Sequence, residues 1–127
     1  MTRIAGSSSD LPAAAGPYSP SVRCGPWVYT AGQGGAARDA ELVPDVATQT
    51  AQCLDNVFAA LAASGASEAD IAKVTVYLTD RDDFEAMNRV YETRFTAPYP
   101  ARTTVFVGLG ADMLVEIDAV AYAPEER

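Results

Sequence analysis

The order of apolar patterns along the chain predicts an α+β fold in which two helices lie on one face of a mixed sheet. Two stretches have the 3.6-residue spacing of amphipathic helices, and β-branched apolar runs lie before, between and after them. The length of 127 residues is natural for one domain and sufficient for its own core. We therefore expect a single domain over residues 1–127, with an irregular N-terminal arm at 1–12 and an irregular tail at 123–127.

The first half of the chain predicts one strand and one long helix. Residues 1–20 are rich in Ser, Ala, Pro and Gly, which favours irregular structure, with room for one further strand near the N-terminus. Residues 27–31 are β-like and run into the glycine-rich segment 32–35, which predicts a loop. Asp45 can cap the start of the following helix and Gly65 can end it. The apolar face of this helix consists of Val46, Cys53, Leu54, Val57, Phe58 and Leu61.

The second half predicts a strand, a helix and two further strands. Residues 73–79 alternate and are β-branched, which indicates a strand. Asp80 or Asp82 caps the next helix, and the prolines at 98 and 100 stop it. Two apolar strands follow, at about 103–108 and 113–122. The apolar face of the second helix consists of Phe84, Met87, Tyr91 and Phe95.

Composition excludes several classes of function. The net charge of −8, with the basic residues scattered, argues against nucleic acid as the main partner and against an anionic membrane surface. No apolar stretch approaches the roughly 20 residues that a spanning helix needs, and the first ten residues lack the apolar block of a secretory signal. We expect a cytoplasmic protein with Cys24 and Cys53 reduced. The absence of histidine excludes His-based catalysis, and the two cysteines lack metal-binding spacing.

A cation and a carboxylate stand out on two apolar runs near the C-terminus. Arg102 follows Pro100, which stiffens the backbone, and a guanidinium can grip a carboxylate with two parallel hydrogen bonds. Glu116 shares one strand face with Asp118, and for Asp118 simple exposure to solvent is the better explanation. Placed on neighbouring strands, Arg102 and Glu116 would form a small site that holds an anion and moves a proton or a water. In a dry site the pKa of Glu116 should rise.

Three other segments have only weak local signals. The glycines at 32–35 lack the features of a phosphate-binding loop. Tyr18 lies in a turn and can pack over a ligand if the arm folds back. Asn88 lies close to the apolar stripe of the second helix, where an amide needs partners, either a neighbouring loop or a bound molecule.

Taken in order, these segments resemble the RidA (YjgF-like) family. The resemblance runs from about residue 12 to 122 and needs few gaps. The segments that carry it are Gly16-Pro17-Tyr18-Ser19, Tyr29-Thr30-Ala31-Gly32-Gln33, Gln49 to Asn56-Val57, Lys73-Val74-Thr75-Val76-Tyr77-Leu78-Thr79-Asp80, Phe84 with Asn88 and Tyr91, Pro100-Ala101-Arg102-Thr103, and Val115-Glu116-Ile117-Asp118-Ala119.

The resemblance implies a chorismate-mutase-like α+β fold with a mostly antiparallel sheet, and a homotrimer with sites in the clefts between subunits. It implies hydrolysis of reactive enamines and imines such as 2-aminoacrylate to 2-keto acids and ammonia, without a metal or organic cofactor. Arg102 would hold the substrate carboxylate and Glu116 would position the water. Tyr18 would line the site, and groups near Gly32 and Thr104 would complete it. We add Asn88 to the substrate-binding candidates.

The chain departs from the family pattern in loops that shape the pocket. The usual Ser-Gly-Gln-Ile/Val-Pro becomes Ala31-Gly32-Gln33-Gly34-Gly35, the glutamine after Gly-Pro-Tyr-Ser becomes Pro20, and Leu-Pro before the last strand becomes Leu109-Gly110. These changes bear on substrate identity more than on mechanism. Two alternatives stay open, namely a larger imine in a specialised biosynthetic pathway and a trimeric ligand-binding protein without turnover. An endoribonuclease role is disfavoured by the charge and by the absence of histidine.

Overall fold

One sheet with two α-helices on it makes up the part of the chain, residues 2–124, that the computed structural model describes. The helices are α1 (Val46–Ala63) and α2 (Phe84–Arg94). The seven strands within these residues are β1 (Ile4–Gly6), β2 (Ser21–Cys24), β3 (Trp27–Thr30), β4 (Gln33–Gly34), β5 (Ile71–Leu78), β6 (Ala101–Phe106) and β7 (Val115–Tyr122).

The sheet has the order β1-β2-β3-β7-β5-β6, and β4 pairs with β7 beyond the end of β3. Five of the six strand pairings among the described residues are antiparallel, and β5 with β6 is the parallel one. Helix α2 lies in the chain between these two parallel strands, as a crossover connection requires. The predicted α+β fold with a mixed, mostly antiparallel sheet is therefore confirmed.

Local signals place both helices as expected. The Asp45 carboxylate accepts a hydrogen bond from the Thr48 backbone N–H at 3.0 Å, and Gly65 has the left-handed φ of +83° just past the end of α1. The N-cap of α2 is Asp83, which makes no side-chain cap bond, so neither predicted residue caps this helix directly. Of the two candidates, Asp80 caps the 3₁₀ turn that precedes it. Its carboxylate accepts from the Asp82 N–H at 2.9 Å and begins a 3₁₀ turn that leads into α2.

The two faces of the sheet differ sharply. Alternate residues of β5 and β7, including Val74, Val76 and Ile117, are buried beneath the helices. The opposite face, here called the helix-free face, has no helix on it among the described residues. It carries Trp27 and Tyr29 of β3, Lys73, Thr75 and Tyr77 of β5, Thr103 and Val105 of β6, and Glu116, Asp118, Val120 and Tyr122 of β7.

Two expectations about irregular segments were wrong. The arm is not irregular throughout, because β1 pairs with β2, and β2 was not predicted from the sequence. The segment predicted as a loop contains β4, which pairs with β7. In the tail, residues 123 and 124 belong to no helix or strand, Ala123 is buried, and its N–H donates to the Pro26 carbonyl at 2.7 Å. Residues 125–127 lie outside the described part. No helix within residues 2–124 is long and apolar enough to cross a membrane.

Candidate active site

Arg102 lies on the edge strand β6 and points to the helix side of the sheet. Its guanidinium carbon lies 4.7 Å from the centre of the Tyr91 ring and 5.8 Å from that of Phe84, and Nη1 lies 4.0 Å from the Met87 sulfur. Within residues 2–124, no carboxylate forms a salt bridge with Arg102. The aromatic rings hold the side chain in place by packing and cation–π attraction, and the planar fork is left to bind an anion.

The cleft beside Arg102 has a volume of about 330 Å³ and is also lined by Asn88, Tyr91, Glu92 and Tyr99. The Tyr91 hydroxyl and the Thr104 Oγ1 are both buried and find no hydrogen-bond partner among the described residues. Burial raises the pKa of Tyr91, and the positive charge of Arg102 opposes this rise. A cation and two hydroxyls therefore lie on one side of the sheet, where they suit a small anionic molecule.

Sequence reasoning missed Tyr91 as a site residue. Its spacing four residues after Met87 indicates the core side of a helix, and it does pack there. The signal that would have found it is the hydroxyl itself, because a buried tyrosine usually needs a hydrogen-bond partner at its polar end.

Glu116 lies on the helix-free face, with its carboxylate against the backbone of Gly32. A Cβ added to Gly32 would collide with the Glu116 carboxylate, so only glycine permits this approach. The pKa of Glu116 is raised, first by burial and then by the nearby charge of Asp118, which is the direction expected from the sequence. A carboxylate in this state is suited to accept and return a proton.

Asp118 has a different environment from Glu116, although both lie on the same face of β7. The Tyr77 hydroxyl donates a hydrogen bond to Asp118 Oδ2 at 2.7 Å. This bond to Asp118, followed by burial, raises the pKa of Tyr77 to about 12. Asp118 is thus engaged by a neighbouring strand, whereas Glu116 has no side-chain hydrogen bond among the described residues.

Tyr18 and Gly32 line a second cavity of about 390 Å³, together with Gly34, Met113 and residues 11–15 of the arm. The arm does fold back over this region, as the interpretation of Tyr18 required. The Tyr18 hydroxyl accepts a hydrogen bond from the Ala15 N–H at 3.1 Å, and the side chain remains half exposed. This cavity lies on the Glu116 side of the molecule, since Gly32 contacts the Glu116 carboxylate.

The strand register shows that one chain keeps Arg102 and Glu116 apart. Arg102 is opposite Val74 of β5, and Val74 is opposite Ala119 of β7, on the buried face. Glu116 is opposite Tyr77, on the other face. Strand β5 also separates β6 from β7, so the expectation that the two residues stand on neighbouring strands was wrong.

The predicted site residues therefore fall into two groups within a chain. The first, the arginine half-site, contains Arg102, Asn88 and Thr104, and the structure adds Tyr91. The second, the glutamate half-site, contains Glu116, Gly32 and Tyr18. No group of three or more Cys, Asp and Glu side chains within residues 2–124 is arranged to hold a metal ion.

Known proteins of similar sequence and structure share this fold over nearly their whole length. A family model described as Endoribonuclease L-PSP matches residues 8–123. The chain is 41% identical over 119 residues to the 2-iminobutanoate/2-iminopropanoate deaminase of Escherichia coli K12, covering 90% of this chain and 93% of that protein. It is 42% identical over 118 residues to a RutC family protein of Pyrococcus horikoshii, covering 91% and 94%.

Solved structures agree with these sequence matches. The crystal structure of Escherichia coli TdcF with bound serine matches with a TM-score of 0.89 at 38% identity, over 93% of this chain and 97% of that one. The structure of the Escherichia coli YjgF gene product matches with a TM-score of 0.88 at 40% identity, over 93% and 97%. On the sequence, the fold and the family model together, the chain belongs to the RidA (YjgF-like) family, whose model is described as Endoribonuclease L-PSP.

Proposed function

We propose that this protein hydrolyses small 2-imino acids and their enamine tautomers, of the 2-aminoacrylate type, to 2-keto acids and ammonia. The observation that carries the proposal is the Arg102 guanidinium, which forms no salt bridge within residues 2–124 and lines a cleft together with Tyr91, whose buried hydroxyl has no partner among these residues. Such a fork matches a substrate carboxylate. The relative in Escherichia coli named as a 2-iminobutanoate/2-iminopropanoate deaminase supports the same chemistry.

The active site in this proposal joins the arginine half-site of one copy to the glutamate half-site of another. Arg102 and Glu116 face opposite sides of the sheet, so both can reach one substrate only if two chains meet. The helix-free face exposes Trp27, Tyr29 and Tyr122, which are large apolar groups that an assembly would cover. We propose a homotrimer in which each cleft between subunits holds one site, and light scattering coupled to size exclusion measures this state directly.

In the proposed reaction, Arg102 binds the carboxylate of the imino acid and fixes the position of its C=N carbon. An enamine first takes a proton from water at its terminal carbon and becomes the protonated imine, C=NH2⁺. Water then attacks the C=N carbon while Glu116 of the neighbouring copy takes a proton from it. The carbon now bears a hydroxyl and an amine. Glu116 returns the proton to the amine nitrogen, the C–N bond breaks and ammonia leaves. The hydroxyl gives its own proton to Glu116, which releases it to water, and becomes the carbonyl of the keto acid.

The raised pKa of Glu116 suits both halves of this cycle. A carboxylate whose pKa is raised is a better proton acceptor than an ordinary one. Asp118 is held by Tyr77 and supplies a like charge that helps to raise the pKa of Glu116. We assign Asp118 no direct part in the chemistry.

The proposed setting is the cytoplasm, where both cysteines are thiols and reactive imines arise as by-products of amino-acid chemistry. An endoribonuclease activity, which the description of the family model names, fits this chain poorly. Its net charge of −8 opposes the approach of a phosphate backbone.

The test uses imines made in the same tube. A serine dehydratase generates 2-aminoacrylate, and semicarbazide traps whatever imine the protein has not hydrolysed. We expect the wild-type protein to lower the yield of semicarbazone and to speed the release of pyruvate, and Glu116→Gln to lose this effect by about 10²–10⁴-fold, as for a general base. A folded wild-type trimer that leaves the semicarbazone yield unchanged with every imine tried would refute the proposal. Binding of a keto acid without turnover, unaffected by Glu116→Gln, would favour the ligand-binding alternative.

A further inference from the structure

Two side chains contact the glycine-rich segment at the glutamate half-site, namely Glu116 at Gly32 and Met113 at Gly34. Gly32 and Gly34 are two residues apart in an extended segment, so both turn the same side of the backbone toward their neighbours. The Glu116 carboxylate lies against Gly32, and the terminal methyl of Met113 lies 3.0 Å from the place where a Cβ on Gly34 would stand. About 7 Å of strand separate the two glycines. The methionine tip and the carboxylate therefore share one side of this segment.

The backbone on both sides of Met113 is held by a single buried side chain, that of Gln49. The Gln49 amide donates to the Asp112 carbonyl at 3.0 Å and accepts from the Leu114 N–H at 2.9 Å. It donates a further bond to the Val43 carbonyl at 2.9 Å. A fully bonded buried amide fixes the groups that it bridges. The stem of Met113 is thus positioned by Gln49.

The side chain of Met113 is free to adapt on this fixed stem. Methionine has three rotatable side-chain bonds and a polarisable sulfur, and it fills apolar spaces of variable shape. Met113 is only partly buried and lines the cavity of about 390 Å³ that Tyr18, Gly32 and Gly34 also line. Because Gly34 has no side chain, the methionine tip can lie against the backbone of residue 34.

We propose that Met113 is a specificity-determining residue that contacts the apolar side chain of the 2-imino acid, and that Gly34, which has no side chain, lets the methionine tip lie against the backbone and so leaves the cavity to the substrate. This inference rests on the proposed function. Arg102 takes the carboxylate and Glu116 approaches the C=N carbon, so the remaining carbon substituent is the group left to meet the apolar wall beside Glu116. The substrate class is therefore 2-imino acids with apolar side chains of more than one length.

Two variants should change the space beside the Met113 side chain in opposite directions. Met113→Ala removes the tip and enlarges the cavity, whereas Gly34→Ala places a methyl group 3.0 Å from the tip and pushes it into the cavity. The substrates are a size series, with 2-aminoacrylate from serine dehydratase and the imines of leucine and phenylalanine from an amino-acid oxidase. We expect Met113→Ala to raise the ratio of kcat/KM for large over small imines by about 10-fold and Gly34→Ala to lower it several-fold, as for a few methylenes in an apolar pocket. Ile4→Ala, an exposed apolar side chain on β1, is the control and should leave the ratio unchanged.

A binding measurement separates this inference from the proposed function. Calorimetric titration with pyruvate and with the keto acids of leucine and phenylalanine gives the same size ratio from Kd values, without turnover. If the wild type hydrolyses or binds any of these compounds and neither variant changes its size ratio more than twofold, the role of Met113 is overturned while the proposed function stands. If the wild type neither hydrolyses nor binds any of them, the proposed function fails and this inference fails with it. Should Met113→Ala not fold, Gly34→Ala and Met113→Leu still give the comparison.

Discussion

Glutamine substitutions at Arg102 and Glu116, placed in separate copies of the chain, test whether one site draws on two subunits. Each variant alone, assembled only with itself, lacks one half of every site. A chain with Arg102→Gln still supplies Glu116, and a chain with Glu116→Gln still supplies Arg102. Because the two side chains of one chain face opposite sides of the sheet, the two defective chains should complement each other when they assemble together.

The expected magnitudes follow from the contacts. A guanidinium that grips a carboxylate makes two charge-assisted bonds of about 1.5–3 kcal/mol each, so Arg102→Gln should cost about 3–6 kcal/mol in kcat/KM, roughly 10²–10⁴-fold. Glu116→Gln should cost a similar factor. In a cyclic trimer that contains both kinds of chain, whichever is in excess, one boundary joins an intact Arg102 to an intact Glu116, so about one third of the wild-type activity should return.

The assay needs mixed trimers of known composition. Co-expression with two different affinity tags and purification over both resins isolates them, and light scattering confirms their mass. Trapping of the 2-aminoacrylate imine then reports activity for the mixed trimers and for each parent. Mixed trimers that are no more active than their parents would refute the two-chain site, and so would full wild-type activity in either parent. A doubly substituted Arg102→Gln, Glu116→Gln chain mixed with wild type is the matched control. Trimers with one wild-type chain should then have no intact site, and trimers with two wild-type chains should have one, at the boundary between those two chains.

Two further predictions concern the neighbours of Glu116 and the packing of its loop. Asp118→Asn removes the like charge that helps to raise the pKa of Glu116, so the acidic limb of the pH profile of kcat/KM should move to lower pH. Tyr77→Phe keeps that charge and is the control, because it should not move the limb to lower pH. An acidic limb that does not move in Asp118→Asn would contradict the role given to this charge. Gly35→Ala puts a Cβ 2.6–2.7 Å from atoms of Gln49 on α1, so urea unfolding should show a free energy of unfolding lower by about 1–3 kcal/mol. Gly108→Ala is the control, because no atom lies within 4 Å of its Cβ position, and it should change the free energy of unfolding by less than about 0.5 kcal/mol. Equal losses in both variants would show that the close approach to α1 is not what requires glycine at residue 35.

The sign of the Glu116 contribution to stability follows from the same pKa shift. A carboxyl whose pKa is raised in the folded state favours folding while it is protonated, and this contribution is lost as the pH rises through the folded-state pKa. The ionised form of Glu116 is therefore less favourable for the folded state than the protonated form. Retaining a group that is unfavourable for stability is typical of a functional site.

Much of the fold could be predicted because its signals are local. The carboxylate of Asp45 caps α1 and the left-handed Gly65 follows its end, so both boundaries are encoded within a few residues of the helix. The alternation in 115–122 showed that Glu116 and Asp118 share the exposed side of β7, and the structure bears this out.

The strands that were missed are short and lack such patterns. β1 has three residues and β4 has two, too few to show an alternation, and both exist because longer strands offer them partners. Glycine at position 34 favours a loop when judged locally. The pairing of Gly34 with Glu116 outweighs that local preference.

The sequence by itself determined the kinds of group available for chemistry and the side of its own strand on which each one lies. It identified Arg102 and Glu116, excluded histidine chemistry, and separated Glu116 from Asp118 in their expected tasks. Only the tertiary structure decided that β5 lies between their strands, that the two side chains face opposite sides of the sheet, and that Gly32 lies against the Glu116 carboxylate. The physical reason is that periodicity records which way a side chain points within its own element, whereas strand order and register arise from contacts between residues far apart in the chain.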